Sequence, residues 1–501
     1  MRTKKSLINV AIGIISLFFT TILGFINSRF FAMNIGVEIS GLNNVFTNII
    51  SIMSVTELGI AGAINYNLYK PVHDKDYIKI SQIMSFYKKC YILIGAIILC
   101  ISLIISNYVF FFIENSTLTK TYIQLTFILC ALSTVFSYFL AYHRNLFYVF
   151  QDNYITLVID SIIRIITLAL QLIVVILYKN YVLYLIINLV SNVLSNLIIA
   201  FISKAKYKEV KLNIKPLDKS LEKKVFNDVK SLAVIQVTSA LINFTDSLII
   251  SKILGIIIAG IYSYYAQIIV ILTNLINMIF NSLGASIGNL LAENNRENIK
   301  NVLHFLSYLC IFMGLILASG IINVFQSFVI FWLGTDFLIP ISVIFILGIN
   351  FYIMIQRQVI TYYLRTGGYH KNLVIPLLIE ASINLLISIS LSLKYGLIGV
   401  FIGTLISAIY GFIQNSYLLF HIFEFDYKKY ITREIFYFLL FILEVLFTRI
   451  TLNFMNLNYN AFLNFFITGI ISIIIPMIII IINIFKNKKL KDIISSHVLH
   501  N

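Results

Sequence analysis

Charged residues in this 501-residue chain fall in short intervals, and between them run about 14 apolar stretches of roughly 20 residues or more. That pattern leaves few folds. A bilayer interior satisfies no backbone N–H or C=O group, so only helices and closed barrels cross it. Barrel strands alternate polar and apolar residues over about ten positions, whereas these stretches stay apolar for about twice that length. The expected fold is an all-α polytopic membrane protein. Composition agrees, with 59% of residues apolar and 12% charged, far from the values of soluble domains.

The first six segments cover approximately residues 7–31, 39–65, 90–113, 121–142, 154–178 and 181–202. A second six cover 231–253, 257–283, 302–324, 340–363, 373–393 and 397–420, and 431–450 and 461–485 close the series. The longest polar connection, rich in lysine, follows the sixth segment. The chain therefore divides into an N-terminal six-helix bundle (1–203), a basic linker (204–230), a C-terminal six-helix bundle (231–421), and a helix pair with a basic tail (422–501). The first segment exceeds a signal-peptide core and is followed by no small-residue cleavage site, so it is expected to remain as a helix.

A net charge of +16 would point to nucleic acid in a soluble protein, but its distribution argues otherwise. With a cytoplasmic N-terminus, the clusters at Arg2, Lys4 and Lys5, at 70–89, 204–230, 428–433 and 486–491 all fall on the cytoplasmic side, as the positive-inside rule requires. The expectation is a multi-pass protein of the cytoplasmic membrane with both termini cytoplasmic and no nucleic-acid partner. Cys90, Cys100, Cys130 and Cys310 lie in or beside apolar segments without CxxC spacing, which reads as packing rather than metal or redox chemistry. No GxxxxGK[ST] loop occurs, which argues against direct ATP drive.

The two six-helix halves look related. Gly36 and Gly41 follow the first segment, Gly255 and Gly260 follow the seventh, and one common offset carries the first pair onto the second. Near that offset Asp160 falls close to Glu380. Internal duplication in transporters places the substrate between the repeats. Six helices return the chain to its starting side, so these repeats would be parallel. The last two helices have no counterpart in the repeat.

Several strings then carry a resemblance: "ELGIAGAINYNLYKP" followed by Asp76, "HRNLFYVFQDNYI", "NFTDSLIISKILG", "AGIYSYYAQI", "SIGNLLAENN", "FWLGTDFLIP" and "INLLISISLSLKYGLIGVFIGTLIS". From the first helix to about Ser407 the chain resembles Wzx-type polysaccharide flippases of the multidrug/oligosaccharidyl-lipid/polysaccharide exporter superfamily. The resemblance implies a 14-helix pair of bundles around a central cavity. It also implies export of undecaprenyl-pyrophosphate-linked oligosaccharide by alternating access, for a cell-surface polysaccharide such as capsule or exopolysaccharide. Membrane lipid and other polysaccharide-assembly proteins are the implied partners, and no catalytic residue, metal or organic cofactor is called for. This chain has Val149 to Gln151 and then Asp152 where relatives often carry "ADQ", which removes the acid from its usual place.

A lipid pyrophosphate would need fixed cations, and the fork of arginine suits phosphate best. The candidates are Arg29, Arg144, Arg164, Lys252, Arg357 and Arg365. Arg29 is open to a second reading as a snorkelling residue. Arg164 follows Asp160 by four residues and is open to self-neutralisation on one helix face, while Arg144, Arg357 and Arg365 sit at helix ends where topology alone explains a cation. Intramembrane carboxyls form the second set: Glu57, Asp160, Asp246 and Glu380. Such groups carry a proton or Na⁺, or neutralise an arginine. The repeat offset sets Arg29 against Leu248, which predicts that Arg29 and Asp246 pair across an outer gate.

Glycines at 396, 399 and 403 are expected to let helices approach closely, and Trp332 is expected at the outer interface. Two alternatives stay open: an ion-coupled multidrug exporter of the same superfamily, and a membrane glycan polymerase or transferase. The short outer loops count against a polymerase.

Overall fold

The computed structural model describes residues 2–54, 64, 67–211, 219–293, 295–455 and 459–486. Among these residues the chain is helical, with no strand and with fourteen long α-helices. In order they are α1 (Arg2–Asn34), α2 (Val37–Ser54), α3 (Tyr77–Ser106), α4 (Lys120–Val149), α5 (Tyr154–Leu177), α6 (Tyr181–Lys206) and α7 (Lys219–Ile253). Then follow α8 (Ile256–Ala292), α9 (Arg296–Trp332), α10 (Ile341–Thr366), α11 (His370–Tyr395), α12 (Leu397–Ile422), α13 (Tyr427–Phe454) and α14 (Ala461–Lys486). Twelve are long and apolar enough to cross a bilayer; α2 and α7 are not in that set.

The short connections stop one helix and start the next with polar caps. Asp76, Thr119, Asn180 and Asp426 each accept a hydrogen bond from the backbone N–H three residues on, and Asn295 accepts from both Glu297 and Asn298. Each bond satisfies a donor that a helix start leaves open. Away from the caps, faces that meet lipid are plainly legible. On α14, Ile473, Ile474, Met477, Ile478, Ile481 and Ile482 are exposed, while Thr468, Ser472 and Pro476 are buried on the opposite stripe. Small and weakly polar residues inside, branched aliphatics outside, is the expected inversion for helices that associate in hydrocarbon.

Two compact units emerge, residues 1–263 and 264–501, with the boundary inside α8. In the first unit, α4 packs on α3 and α6, α5 packs on α1 and α6, and α7 packs on α2. Its core gathers Leu42, Val45, Phe46 and Ile49 of α2 with Ile123 and Phe127 of α4 and Ile256 of α8. A second cluster joins Ile83, Tyr87 and Tyr91 of α3 to Val135, Tyr138 and Tyr142 of α4. In the second unit, α10 packs on α9 and α12, α11 packs on α12, and α9 also carries α13 and α14. The neighbour pattern 3–4, 4–6, 5–6 of the first unit thus recurs as 9–10, 10–12, 11–12 in the second.

The paired glycines divide into two roles. Gly36 and Gly255 sit between helices with φ of +106° and +99°, a conformation open to glycine without a steric cost. Gly41 and Gly260 instead lie one turn inside α2 and α8, where the two backbones touch. A Cβ on Gly41 would overlap the Ile256 carbonyl oxygen, and one on Gly260 would overlap the Val37 carbonyl oxygen. Val37 and Ile256 are related by the same offset as Gly41 and Gly260, so the contact is reciprocal, as in a two-fold interface. Gly399 and Gly403 behave as expected, pressed against Leu391 and Ser388 of α11.

Trp332 is 5% exposed, flanked edge-on by Tyr264 and stacked on Phe328, so its indole packs inside its unit. Of the cysteines, Cys310 alone is buried and Cys100 is exposed.

Candidate functional site

Each unit holds an arginine gripped by a carboxylate and an asparagine from two other helices. In the first unit Arg144 of α4 donates through Nη1 and Nη2 to the two oxygens of Asp160 on α5, at 2.6 and 2.9 Å. Its Nε donates to Asn196 Oδ1 of α6 at 2.8 Å, and Ser195 Oγ bridges Arg144 Nη2 and Asp160 Oδ1. In the second unit Arg357 of α10 grips Glu380 of α11 in the same bidentate way, at 2.5 and 2.7 Å. Oriented by its donors, the Asn415 amide oxygen of α12 accepts from Arg357 Nη2 and Nε, at 3.1 Å each. Planar two-point pairing of this kind is the strong form of the arginine–carboxylate bond.

The two clamps use the same three groups on corresponding helices, with the asparagines alone in exact register. Asn196 and Asn415 are related by the offset that relates the glycine pairs. They differ in burial: the side chains of Arg357 and Glu380 are 18% and 3% exposed, those of Arg144 and Asp160 31% and 41%. Gly411 explains the tighter fit, because a Cβ there would stand 2.6 Å from both Arg357 Nη1 and Glu380 Oε2. At the matching position the first unit has Asn192, which donates to Ser133 instead.

Asp160 therefore takes its partner from α4, not the Arg164 one turn along α5. The i, i+4 expectation fails because Arg144 reaches the carboxylate with a planar fork from across the helix interface, whereas Arg164 is exposed on its helix. Arg144 and Arg357 have their donors engaged. A phosphate could take either fork only by displacing the carboxylate. No described carboxylate forms an ion pair with Arg29, Arg164 or Arg365; Arg29 is half-buried and the other two are exposed.

Lys252 is committed elsewhere. It pairs with Glu114 at 2.5 Å and lies over the Phe111 ring. The backbone continues this grip, with Ile256 N–H donating to the Glu114 carbonyl at 3.1 Å. The other side of the same loop is held by Glu38 at the start of α2, whose carboxylate accepts from Ser116 Oγ, Thr117 N–H and Thr117 Oγ1 at 2.6–2.7 Å. Burial alone would raise the Glu38 carboxyl, but the donors from Thr117 and Ser116 outweigh it and hold it below the ordinary carboxylate value. The 114–117 loop is thus a clasp between α2 and the α7–α8 junction, beside the Gly41–Gly260 contact.

Among the remaining expectations, Asp246 is buried on α7 near Tyr262, and Glu57 lies outside the described residues. Asp152 is a buried partner of Lys206 (2.6 Å) and of the Tyr207 hydroxyl (3.1 Å), a local brace at the end of α6. The sequence reading missed Ser195, Asn196, Asn415, Glu38, Glu114, Glu434 and Glu444. Asn196 and Asn415 were open to discovery through the repeat offset. Glu434, buried and paired with Arg433 at 2.6 Å, and Glu444, buried on α13, lay in the segment without a repeat counterpart.

Residues 6–284 match a family described as polysaccharide biosynthesis protein. No curated protein matches the chain by sequence at a significant level. Among solved structures, the lipid II flippase MurJ in an inward closed conformation superposes with a TM-score of 0.68 at 18% identity, over 95% of this chain and 99% of that one. An inward-facing multidrug resistance MATE transporter of the MOP superfamily gives 0.66 at 12% identity, over 82% and 98%. At these identities the likeness establishes a shared helical fold.

Proposed function

Because the chain belongs to the polysaccharide biosynthesis protein family, and is a polytopic membrane protein with the fold of MOP-superfamily transporters, we propose that it is a flippase for lipid-linked glycan. In this reading it carries undecaprenyl-pyrophosphate-linked oligosaccharide across the cytoplasmic membrane by alternating access, with both termini cytoplasmic and with H⁺ or Na⁺ as the coupling ion.

The observation that carries the reading is the sorting of the arginines within and at the ends of the membrane helices. Arg144 and Arg357 are neutralised in the two clamps, while Arg29, Arg164 and Arg365 have no described carboxylate against them. An arginine in a membrane helix with no carboxylate against it among the described residues marks a site of use, and such forks suit a pyrophosphate. A multidrug exporter of organic cations would want the reverse charge. Arg29 and Asp246 remain the proposed gate pair.

The test is the amount of undecaprenyl-pyrophosphate-linked oligosaccharide in host cells depleted of the protein. Full-length lipid-linked units should accumulate, and wild type should clear them while an Arg164→Ala copy clears them poorly. Absence of accumulation with altered drug susceptibility would transfer the chain to the multidrug branch, and truncated units would indicate an enzyme. For the gate pair, exchanging both charges at Arg29 and Asp246 should restore export lost in either single exchange.

A further inference from the structure

Glu444 is a buried carboxyl that neither the clamps nor the proposed substrate path uses. It lies on α13 and is 1% exposed. Both of its described donors converge on one oxygen: Ser319 Oγ of α9 and Thr448 Oγ1, one turn on, each donate to Oε1 at 2.9 Å. Oε2 is equally buried and has no hydrogen-bond partner among the described residues. The same holds for Oδ1 of Asn323, whose amide nitrogen donates to Ser319 Oγ at 3.2 Å and so belongs to the same network.

Charge does not fill the gap. On α9 no lysine, arginine or acid follows Lys300, and His304 accepts from Arg433. On α14 no charged residue precedes Lys486, and α12 offers Tyr410, Tyr417 and His421. On α10, Tyr352 stacks on Phe441, one turn before Glu444. On α13 itself Arg433 and Glu434 pair with one another more than two turns away, Tyr437 lies between, and Arg449 turns to the Ile322 carbonyl at 3.3 Å. A carboxylate held here would be a desolvated charge with two neutral donors and no cation, an arrangement that is strongly unfavourable.

A neutral acid fits the same atoms without that cost. Its carbonyl oxygen accepts the two hydrogen bonds seen at Oε1, and its hydroxyl leaves at Oε2 one neutral O–H, which is far cheaper to bury than an unpaired charge. We propose that Glu444 is a proton-binding site, with the proton on Oε2, and that the neutral carboxyl joins α13 to α9 through the Ser319 hydrogen bond to Oε1. The site is a ligand site for H⁺ in the helix pair that lies outside the repeat. The inference does not depend on the glycan reading, since it concerns the resting protein.

The experiment is infrared difference spectroscopy on the purified full-length protein in lipid nanodiscs, comparing wild type with Glu444→Gln. At neutral pH wild type should show a protonated-carboxyl C=O band that is lost in the variant, disappears on alkaline titration, and keeps its intensity when Na⁺ is replaced by choline. Ser319→Ala supplies the second arm: removal of one donor should shift that band to higher frequency without abolishing it. A neutral-pH spectrum with no band assignable to Glu444, a band unmoved in Ser319→Ala, or a band that Na⁺ suppresses at constant pH would overturn the proposal. The last outcome would make the group a cation ligand. None of these outcomes depends on export, so failure here and failure of the flippase reading are separable.

Discussion

Alanine at Gly41 and alanine at Gly260 should damage the protein equally, although the two positions lie in different halves of the sequence repeat. At Gly41 a Cβ overlaps the Ile256 carbonyl oxygen and stands 3.1 Å from Gly260 N; at Gly260 it overlaps the Val37 carbonyl oxygen and stands 3.0 Å from Gly41 N. The obstructing atoms are backbone in both cases, so no rotamer change relieves them. To recover ordinary contact near 3.5 Å the helices must part by about 1 Å. Overpacking of this kind costs about 1–3 kcal/mol, and the better helix propensity of alanine returns up to about 1 kcal/mol. A net loss of about 1–2 kcal/mol is expected for each single change.

One separation accommodates both methyl groups, so the double variant should be less damaged than the sum of the singles, by at least about 0.5 kcal/mol. Thermal unfolding of the purified protein in nanodiscs measures all four members of the cycle. Gly24→Ala is the control, with nothing within 4 Å of its Cβ. Wild-type stability in Gly41→Ala, clearly unequal singles, or strict additivity would each refute the reciprocal contact.

Other expectations follow from the charged groups. Glu380→Ala strands Arg357 in a nearly dry site and should cost about 3–5 kcal/mol, whereas Asp160→Ala, at a pair about a third exposed, should cost below about 1 kcal/mol; chemical and thermal unfolding rank the two. The Glu38 carboxyl is held below its ordinary value of 4.5, so its contribution is whole above that pH and is lost as pH falls through the folded value. A Glu38→Gln variant should therefore lose stability at neutral pH and show a flatter acid limb, read from melting temperature against pH. Alanine at Arg29, Arg164 or Arg365 should lower export with little change in melting temperature, while alanine at Arg357 should lower both, measured by lipid-linked glycan accumulation beside thermal unfolding.

What the sequence determined by itself was the class and the duplication. Apolar runs of membrane length leave only helices, because a bilayer cannot satisfy open backbone groups, and the resemblance to polysaccharide flippases came from strings that survive without any structure. The offset between the glycine pairs reappeared as the reciprocal Gly41–Gly260 contact and again in Asn196 and Asn415. The tertiary structure decided which charge meets which. Helical periodicity reports neighbours on one helix, so it offered Arg164 to Asp160; only packing of α4 beside α5 and α6 could deliver Arg144. The Glu38 clasp and the Glu444 network join residues 78 and 125 positions apart. Such pairings depend on the distance between helices, a quantity that no pattern along a single helix encodes.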